Sequence, residues 1–552
     1  MTTAPLEHRE EQAKREIGHT RVGRPTAVAL VAAFLLILVA VPVVDLAAGR
    51  VVPLFADFAR GVPPSVATIA GGSLVTGNRS LLAAMNRLED DLEEGSAVAE
   101  AIQPPFQWVL TAVGRAGNEQ VYVGREGWLF FRPGFDLVTG PAFLDEGRLE
   151  RRRRGGDAWT EPPEPDPLPA ILELERYLAS RGIELLVVPA PTKATVHPEK
   201  MTEKAAGRAA IHNPSFERFV EALQEQGVAV LDPAPLLAEA AESRPQYLER
   251  DSHWAPAAVE RVAGAVAERA RSLVELPPAG QEYRRASATA SSEGDLAALL
   301  RLPEAAPIWP PQRVELAPIV GPGGEPWRPD RRAPVLLLGD SFTNVYSDPA
   351  LGWGEGAGLA EQLSYRLGLP VARIARNAGG SWATRRELAA RLARAAAGTG
   401  EDPLAGTRLV VYEFAARELL VGDWRRFDYA TPPPGEPRQE EQVGRKTGAV
   451  PVRGEVREVA PVPDPATTPY RDALVAILLS TPEGDRLVYA WGMRGRELTR
   501  AARLSPGEQV DLRLVPWAEV AAEFDAVQRL ELSDPDLLLL EPWWTEELRE
   551  TR

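Results

Sequence analysis

Residues 335–343, VLLLGDSFT, decide how the surrounding chain is interpreted. A run of apolar residues leads into Gly339, and the polar residues Asp340 and Ser341 follow at once. Such a short apolar run predicts a strand that is buried on both faces and ends in a turn. Functional groups collect at the carboxyl ends of strands in an open parallel sheet. Ser341 is therefore a candidate nucleophile, and the alternative is that Asp340 or Ser341 only caps a helix.

Helical and strand-like patterns alternate on both sides of this stretch. The amphipathic, helix-like segments are 168–182, 216–227, 256–274 and 383–398, and the apolar, strand-like segments are 183–191, 228–235, 335–341 and 408–419. This rhythm predicts an α/β fold in which helices flank a parallel sheet, and we assign it to residues 118–435. Residues 121–131 are predicted to be two strands around a glycine-containing turn. Hairpin-like runs after about residue 445 predict a small β-rich C-terminal domain over 445–552.

An uncharged stretch near the N-terminus, AVALVAAFLLILVAVPVV at 27–44, would span roughly 27 Å as a helix, close to the thickness of a bilayer core. Basic residues favour a cytoplasmic N-terminus, namely Lys14, Arg15, Arg21 and Arg24. We predict a cytoplasmic tail at 1–24, a single transmembrane anchor at 25–48 and a membrane-proximal helical region at 49–117. The rest of the chain is then periplasmic or extracellular, anchored in the cell inner membrane. A cleaved signal peptide is the alternative.

The composition excludes several classes of function. The formal net charge is -16, and no basic surface that could match a nucleic acid is implied. The chain has no cysteine, which excludes disulfides, thiolate nucleophiles and cysteine-based metal sites. The one dense basic run, Arg151 to Arg154, is predicted to be a solvated loop.

A serine nucleophile needs a base, and the chain offers only five histidines. His8 and His19 lie in the predicted tail, whereas His197 and His212 lie in loops. The fifth, His253, lies in DSHWAP just before a proline suited to the first turn of a helix. In an extended chain residues i and i+2 point the same way, so Asp251 can orient the imidazole that activates Ser341. The alternative is an exposed polar turn before a helix.

GDSFT with DSHW upstream of it resembles the SGNH-hydrolase-like alginate O-acetyltransferases, the AlgJ/AlgX kind. Four further stretches match, namely YVGREGWLFF at 122–131, LLVVPAPTKATVHPEKM at 185–201, RNAGGS at 376–381 and the strand that leads to EFAAREL at 413–419. The likeness covers roughly residues 118–430. It implies an SGNH-like fold and a serine that accepts an acetyl group and passes it to a sugar hydroxyl of an exported polysaccharide.

The resemblance also implies roles for individual residues. Ser341 is the expected nucleophile, His253 the base and Asp251 its orienter. The expected oxyanion and substrate-binding groups are the Ser341 backbone N–H, Asn377, Gly379, Gly380, Tyr412 and Arg417. For Arg417 and Glu413 a structural ion pair is the alternative, and Lys193 and His197 are assigned to a loop at the sheet edge. We also expect Arg385, Arg386 and Arg417 to supply the positive charge that an anionic glycan would need. No cofactor and no metal are predicted.

Three functions remain open at this point. The first is a membrane-anchored O-acetyltransferase that takes acetyl from a multi-spanning membrane O-acyltransferase, since the chain shows no glycine-rich phosphate loop for a soluble nucleotide donor. The second is an extracytoplasmic carbohydrate acetylesterase, because the same triad serves both reactions. The third is a non-catalytic glycan-binding or scaffold protein. For the C-terminal domain, glycan binding and simple packing both stay open, although Trp543 and Trp544 are predicted to be a buried aromatic pair.

Overall fold

The computed structural model describes most of the chain, namely residues 23–51, 96–155, 162–303, 305–377, 379–398, 400–430, 449–463 and 470–521, with shorter stretches at 85, 88–89, 92, 465, 468, 524, 527–532, 537 and 540–546. Nearly all of the predicted tail, including His8 and His19, lies outside the described residues, as does most of the region between 52 and 95. The chain divides into two compact units, residues 1–103 and 104–552.

The first unit contains a long apolar helix, α1 (Arg24–Ala47), with a proline in its first turn and Pro42 inside it. By length and composition this helix could cross a membrane. Its buried Asp45 accepts a hydrogen bond from the Ala97 N–H at 2.8 Å, at the start of α2 (Ala97–Ala112). The apolar segment predicted at 27–44 is therefore helical throughout.

The second unit is built on a five-stranded sheet in which every pair of neighbours is parallel, in the order β10-β9-β11-β3-β4. These strands are β3 (Glu184–Ala190), β4 (Ala229–Val230), β9 (Val335–Gly339), β10 (Val371–Ala375) and β11 (Leu409–Ala415). The predicted parallel sheet is confirmed. The second predicted strand, at 228–235, is shorter than expected because Pro233 precedes a helix that starts at Ala234.

Helices cover both faces of this sheet. The longer ones are α5 (Pro167–Ser180), α7 (Phe216–Glu225), α8 (Ala234–Ala241), α9 (Pro256–Leu273), α12 (Leu359–Leu367) and α13 (Ala383–Ala396). Successive strand residues point to opposite faces, so Leu186 and Val188 pack with α8, α9 and α12, whereas Leu185 and Val187 pack with α5, α7 and α13. This double coverage explains why the strands read as continuous apolar runs rather than alternating ones.

The remaining short elements of this unit connect the sheet and its helices. In chain order they are β1 (Val121–Val123), β2 (Leu129–Phe131), α3 (Arg132–Thr139), α4 (Glu146–Arg154), α6 (Lys193–Val196), β5 (Arg284–Arg285), β6 (Ala288–Ser292), α10 (Asp295–Leu299), β7 (Gln312–Leu316), β8 (Ile319–Val320), α11 (Ser341–Asn344) and α14 (Glu418–Val421). The antiparallel pair of β1 and β2 confirms the two strands predicted around a turn at 121–131.

The loop predicted at Arg151–Arg154 is wrong, because these residues form the last turn of α4. Arg152 donates to the main-chain oxygens of Leu420, Val421 and Gly422 at 2.7–3.0 Å. The other arginines are exposed or nearly so. The free carbonyls at the end of α14 thus receive hydrogen bonds from Arg152. The sequence alone does not distinguish such an arginine from one that is surrounded by water.

The C-terminal strands form a barrel, which confirms the predicted β-rich domain. They are β12 (Val450–Val459), β13 (Ala473–Thr481), β14 (Gly484–Arg494), β15 (Glu497–Leu498), β16 (Gln509–Pro516), β17 (Gln528–Leu530) and β18 (Pro542–Trp544), with α15 (Trp517–Val520) beside them. The order β14-β18-β16-β12-β13 closes on itself because β13 also pairs with β14. Trp544 is buried in its core against Trp491, Trp517 and Phe524.

A buried cluster of charges links α13 to the barrel and to the end of β10. Glu387 pairs with the guanidinium of Arg376 at 2.7 Å, accepts a hydrogen bond from Arg391 Nε at 2.8 Å, and lies 3.6 Å from Arg529 of the barrel. Burial alone raises the pKa of Glu387, but the neighbouring arginines outweigh it and hold that pKa well below its ordinary value. The carboxylate is therefore charged and neutralises several buried cations.

Replacing this carboxylate by an amide should destabilise the protein strongly. For Glu387→Gln we expect the free energy of unfolding to fall by about 3 kcal/mol or more, because the buried Arg376 and Arg529 lose the carboxylate that offsets their charge. Urea denaturation followed by tryptophan fluorescence measures this change. The matched control is Glu217→Gln on the exposed face of α7. If Glu387→Gln lowers the free energy of unfolding no more than Glu217→Gln does, Glu387 is not the counter-charge that the buried arginines require.

Candidate active site

Ser341 is the first residue of the short helix α11, which follows strand β9 after Asp340. The preceding residue, Asp340, fixes this turn: its Oδ1 accepts from the Phe342 N–H and its Oδ2 from the Ala415 N–H, both at 2.8 Å. Asp340 is thus the helix cap, and the capping alternative for Ser341 is not needed to explain the turn. Ser341 is 8% exposed and therefore counts among the buried polar residues.

Glu413 supports the turn from the neighbouring strand β11. Its Oε2 accepts from Thr343 Oγ1 at 2.8 Å and from the Asp340 N–H at 3.1 Å. Burial, together with the charge of Asp340, raises the pKa of Glu413 well above its ordinary value. Glu413 therefore bonds to the nucleophile turn rather than to Arg417, and the ion pair considered for these two residues does not form.

The predicted base and its orienter lie together in the segment before α9. The carboxylate Oδ1 of Asp251 accepts from His253 Nδ1 at 2.7 Å and from the His253 backbone N–H at 3.0 Å. Its Oδ2 accepts from Trp353 Nε1 at 2.8 Å and from the Asp295 N–H at 3.0 Å. Four donors fix this carboxylate, which in turn fixes the tautomer of the imidazole. The predicted i, i+2 arrangement is thus present, although the segment is buried rather than an exposed turn.

The charges of this pair follow from those contacts. Burial alone raises the pKa of Asp251, but His253 and the other donors reverse this and lower it to about 2. Burial alone lowers the pKa of His253, yet the charge of Asp251 more than compensates and raises it above the ordinary imidazole value. Asp251 is therefore a permanent anion at neutral pH, and it favours the protonated form of the base.

The other imidazole nitrogen, Nε2 of His253, makes no hydrogen bond to any group in the described part of the chain, Ser341 Oγ included. Catalytic hydrogen bonds in empty sites are often long and tighten only when substrate binds. A buried nitrogen without a partner carries a desolvation cost, so forming a hydrogen bond to it is favourable. Neutral imidazole can accept such a bond, and then the proton, through this nitrogen. Nε2 is thus the atom from which base chemistry can proceed.

Two tryptophans and a tyrosine join the base segment to the nucleophile segment. Trp254 Nε1 donates to the Phe342 carbonyl at 3.0 Å, and Tyr346 Oη donates to the Trp254 carbonyl at 2.8 Å. The His253 and Phe342 rings lie 5.0 Å apart, centre to centre. With the bond from Trp353 to Asp251, three hydrogen bonds connect these segments, and we call this set the triad clamp. It brings the predicted base beside the predicted nucleophile across about 90 residues of sequence.

The predicted oxyanion loop follows β10. Gly379 has φ of +67°, which favours glycine, and a Cβ placed on Gly380 would come within 2.6 Å of Asp340 Oδ2. Glycine therefore allows the loop to approach the residue next to Ser341. Asn377 is buried, donates to Asp348 Oδ2 and accepts from Asn344 Nδ2, both at 2.9 Å, so its described contacts tie the loop to the segment after Ser341.

Tyr412 and Arg385 are both fully buried on the far side of this loop. Tyr412 Oη donates to the Gly380 and Ser381 carbonyls at 3.2 and 3.0 Å, and Arg385 Nε donates to the Ser381 carbonyl at 3.0 Å. Their contacts position the loop. The expectation that Arg385 meets a glycan is wrong, because its charge is enclosed by main-chain oxygens; the guanidinium of Arg386 donates to the Leu532 carbonyl at 3.0 Å.

A pocket opens beside the base and the nucleophile. Six of its lining residues carry its chemistry, namely Phe130, Phe131, Lys193, Ser252, Phe342 and Arg417. The guanidinium carbon of Arg417 lies 5.4 Å from the centre of the Phe131 ring and 5.6 Å from that of Phe342. Lys193 Nζ donates to the Leu129 and Glu249 carbonyls at 2.8 and 3.1 Å. The pocket thus combines apolar walls with a guanidinium and an amine.

Sequence reasoning missed two kinds of residue here. Lys193, which was assigned to a loop at the sheet edge, is the first residue of α6, three residues after the end of β3, and it lines the pocket. Burial lowers its pKa to about 7. Its position after a strand was a usable signal. His197 is buried, and its Nε2 accepts from the Gln246 N–H at 3.0 Å, as expected of a structural residue. Asp295 and Trp353 carried no signal, because their roles depend on contacts between distant segments.

One cluster among the described residues is compact enough to be considered for a metal ion, namely Asp251, His253 and Asp295. Both oxygens of Asp251 already accept two hydrogen bonds each from the protein, and His253 Nδ1 is one of those donors. A cation at this point would have to displace those donors. The cluster is therefore best explained as the surroundings of the base.

Trp353→Phe should weaken the base without emptying the core. Phenylalanine keeps an aromatic ring at this fully buried position but cannot donate to Asp251. We expect kcat/KM for a nitrophenyl acetate to fall about 10-fold or more, since a hydrogen bond to a charged group contributes about 1.5–3 kcal/mol. The control is Trp517→Phe in the barrel. An unchanged kcat/KM in Trp353→Phe would contradict the role given to this N–H.

The proteins similar to this chain include two relatives and two solved structures. A "Probable alginate O-acetylase AlgJ" of Pseudomonas aeruginosa is 25% identical over 187 residues, which cover 34% of this chain and 42% of that protein. The corresponding protein of Azotobacter vinelandii is 26% identical over 185 residues, which cover 31% and 46%. The match thus spans less than half the length of each relative. The O-acetyltransferase domain of Pseudomonas putida AlgJ has a TM-score of 0.40 at 22% identity, covering 55% of this chain and 93% of that one, and Pseudomonas aeruginosa AlgX has 0.38 at 20%, covering 66% and 75%.

The family to which the fold belongs is decided by a longer match. Residues 121–415, more than half of the chain, match the family described as "SGNH hydrolase-like domain, acetyltransferase AlgX". The matched range contains the parallel sheet, the base segment, the nucleophile turn and the oxyanion loop described above. This chain therefore belongs to the SGNH hydrolase-like, AlgX-type acetyltransferase family.

Proposed function

We propose that this protein is an O-acetyltransferase that moves an acetyl group through Ser341 to a hydroxyl of an exported polysaccharide. The observation that carries the proposal is the triad clamp, which holds a base with a free nitrogen beside the nucleophile turn. In this proposal His253 is the base, Asp251 its orienter and Ser341 the nucleophile. Family membership and the relatives named as probable alginate O-acetylases support this choice of chemistry.

The reaction proceeds in two steps. First, His253 Nε2 takes the Ser341 proton while Ser341 Oγ attacks the acetyl carbonyl, and the protonated imidazole then returns the proton to the leaving oxygen of the donor. Second, His253 removes a proton from a sugar hydroxyl, whose oxygen attacks the carbonyl of the acetyl-serine. The ester bond to Ser341 Oγ then breaks, and the imidazolium of His253 returns its proton to that oxygen. Each tetrahedral oxyanion would accept hydrogen bonds from the Ser341 N–H and from the loop at Gly379 and Gly380.

The surroundings of the triad favour transfer over hydrolysis. Ser341, His253 and Asp251 are all buried, so bulk water has little access to an acetyl-serine. Arg417 and the apolar walls of the pocket would hold the acceptor sugar or the donor against the triad. The acetylesterase remains as the second outcome of the experiment below, since the acyl acceptor alone separates the two reactions.

The donor and the location are part of the same proposal. The apolar helix α1 would act as a single-pass anchor in the inner membrane and leave the catalytic unit in the periplasm or outside the cell. An acetyl donor made inside the cell would then need a second protein to carry the acetyl group across. We propose a multi-spanning membrane O-acyltransferase as that partner.

The direct test follows acetyl from a nitrophenyl acetate to an oligosaccharide acceptor by mass spectrometry, using the detergent-solubilised full chain. The proposal predicts acetylated sugar with the native protein and none with Ser341→Ala. The matched control is Ser347→Ala, whose hydroxyl bonds to Glu361 rather than belonging to the triad. Acetate released to water at the same rate with or without sugar would favour the esterase. Turnover that survives Ser341→Ala would overturn both.

The pH profile should report the raised pKa of the base. Activity requires neutral His253, so kcat/KM should rise with pH through an apparent pKa above about 6.5, the ordinary imidazole value. Asp251→Asn removes the charge that favours the imidazolium, so it should lower this apparent pKa as well as the rate. Stopped assays between pH 5 and 9 measure both quantities. An apparent pKa below the ordinary value in the native protein would contradict the electrostatic account.

A further inference from the structure

A second carboxylate lies beside the base on an element that the triad does not use. Asp295, at the start of α10, has Oδ2 at 3.8 Å from His253 Nδ1. Its Oδ1 accepts from the Ser252 N–H at 2.7 Å and its Oδ2 from Ser252 Oγ at 2.5 Å. Ser252 is the residue between Asp251 and His253. The carboxylate thus holds both polar groups of the residue that separates base and orienter.

The contact runs in the other direction as well. The backbone N–H of Asp295 donates to Asp251 Oδ2 at 3.0 Å, and the next residue, Leu296, donates its N–H to the Arg250 carbonyl at 3.2 Å. Gly294 makes this approach possible, because its φ is +89° and a Cβ there would lie 2.3 Å from the Arg250 carbonyl oxygen. The start of α10 is therefore built against the base segment through backbone as well as side-chain contacts.

We propose that Asp295 is a positioning residue for the base: through Ser252 it fixes the Asp251–His253 turn, and its negative charge stabilises the protonated form of His253. The inference rests on the proposed function and deepens it, since it names a fourth residue for the same site. Ser252 Oγ donates to Asp295, which leaves its lone pair facing His253 Nδ1 at 3.4 Å. The Ser252 hydroxyl therefore lies between the Asp295 carboxylate and the imidazole and contacts both.

The charges around the base decide how strongly Asp295 acts. His253 is faced by Asp251 on its own segment, by Asp295 from α10 and by Arg417 from the loop before α14, and the arginine opposes the two carboxylates. Lys193 of α6 acts on the two carboxylates from the pocket wall. Burial and the charge of Asp251 raise the pKa of Asp295 to about 6, so it is mostly ionised at neutral pH. Asp295 therefore gains its full effect only as the pH rises past that value.

The variant Asp295→Asn separates charge from shape. The amide oxygen can still accept from the Ser252 N–H, and the amide nitrogen can donate to Ser252 Oγ, so the turn keeps its hydrogen bonds. Removal of one anion should lower the pKa of His253, and the acid limb of kcat/KM should move down by about one pH unit. A merely structural role would change the rate and leave the position of this limb where it is. The matched control is Asp145→Asn, at the N-terminus of α4, which should not move the limb.

A second readout does not depend on catalysis. The chain has five histidines, so histidine labelled with ¹³C at Cε1 gives few signals, and His253→Gln identifies the relevant one. Its titration in the detergent-solubilised full chain should fall by the same amount in Asp295→Asn. Ser252→Ala should shift it in the same direction by less, because Asp295 loses a hydrogen bond that favours its charged form. That second variant keeps the test decisive if Asp295→Asn does not fold.

The outcomes distinguish this inference from the proposed function. Ser341-dependent turnover with an unmoved acid limb and an unmoved His253 titration in Asp295→Asn would overturn the role of Asp295 alone. Turnover that does not require Ser341 would overturn the proposed function, while the His253 titration would still test the electrostatic effect of Asp295. A shift of the titration to lower pH in both variants supports the inference.

Discussion

The triad clamp is the constraint on which the rest of the site depends. The proposed nucleophile and the proposed base come from segments about 90 residues apart, and the three hydrogen bonds of the clamp join these segments. Trp254 donates a hydrogen bond to the Phe342 carbonyl, and Tyr346 donates one to the Trp254 carbonyl. Trp353 donates to the carboxylate of Asp251. Because each donor is fully buried, losing one would leave a carbonyl or a carboxylate without its partner, which is costly in a dry interior.

Asp251 and Glu413 are both buried in this site, but their carboxyl groups have opposite charge states. Asp251 has four hydrogen-bond donors and a neighbouring imidazole, so its charged form wins over the cost of burial. Glu413 has two donors and faces the negative charge of Asp340, so its neutral form wins. The first group can therefore stabilise a protonated base, whereas the second supports the nucleophile turn without adding a second anion beneath it.

Short-range patterns made much of the site predictable. Asp251 and His253 are two residues apart before a helix, and Ser341 ends a buried strand, so local spacing was sufficient to nominate them. Asp295 and Trp353 lie 44 and 102 residues from Asp251, and only the folded chain brings them there. The sheet was predictable from continuous apolar runs. The buried Arg385 was not predictable, because its guanidinium donates to main-chain oxygens of residues that only the folded chain brings near it.

The central claim is that the clamped base activates Ser341 for covalent transfer. The most direct measurement is rapid quenching of the full chain with an activated acetyl ester, followed by peptide mapping of the acetyl group. The account predicts an acetyl ester on the peptide that contains Ser341, formed quickly in the native protein and slowly in His253→Gln. Acetylation on another residue, or an equal rate without the histidine, would contradict it.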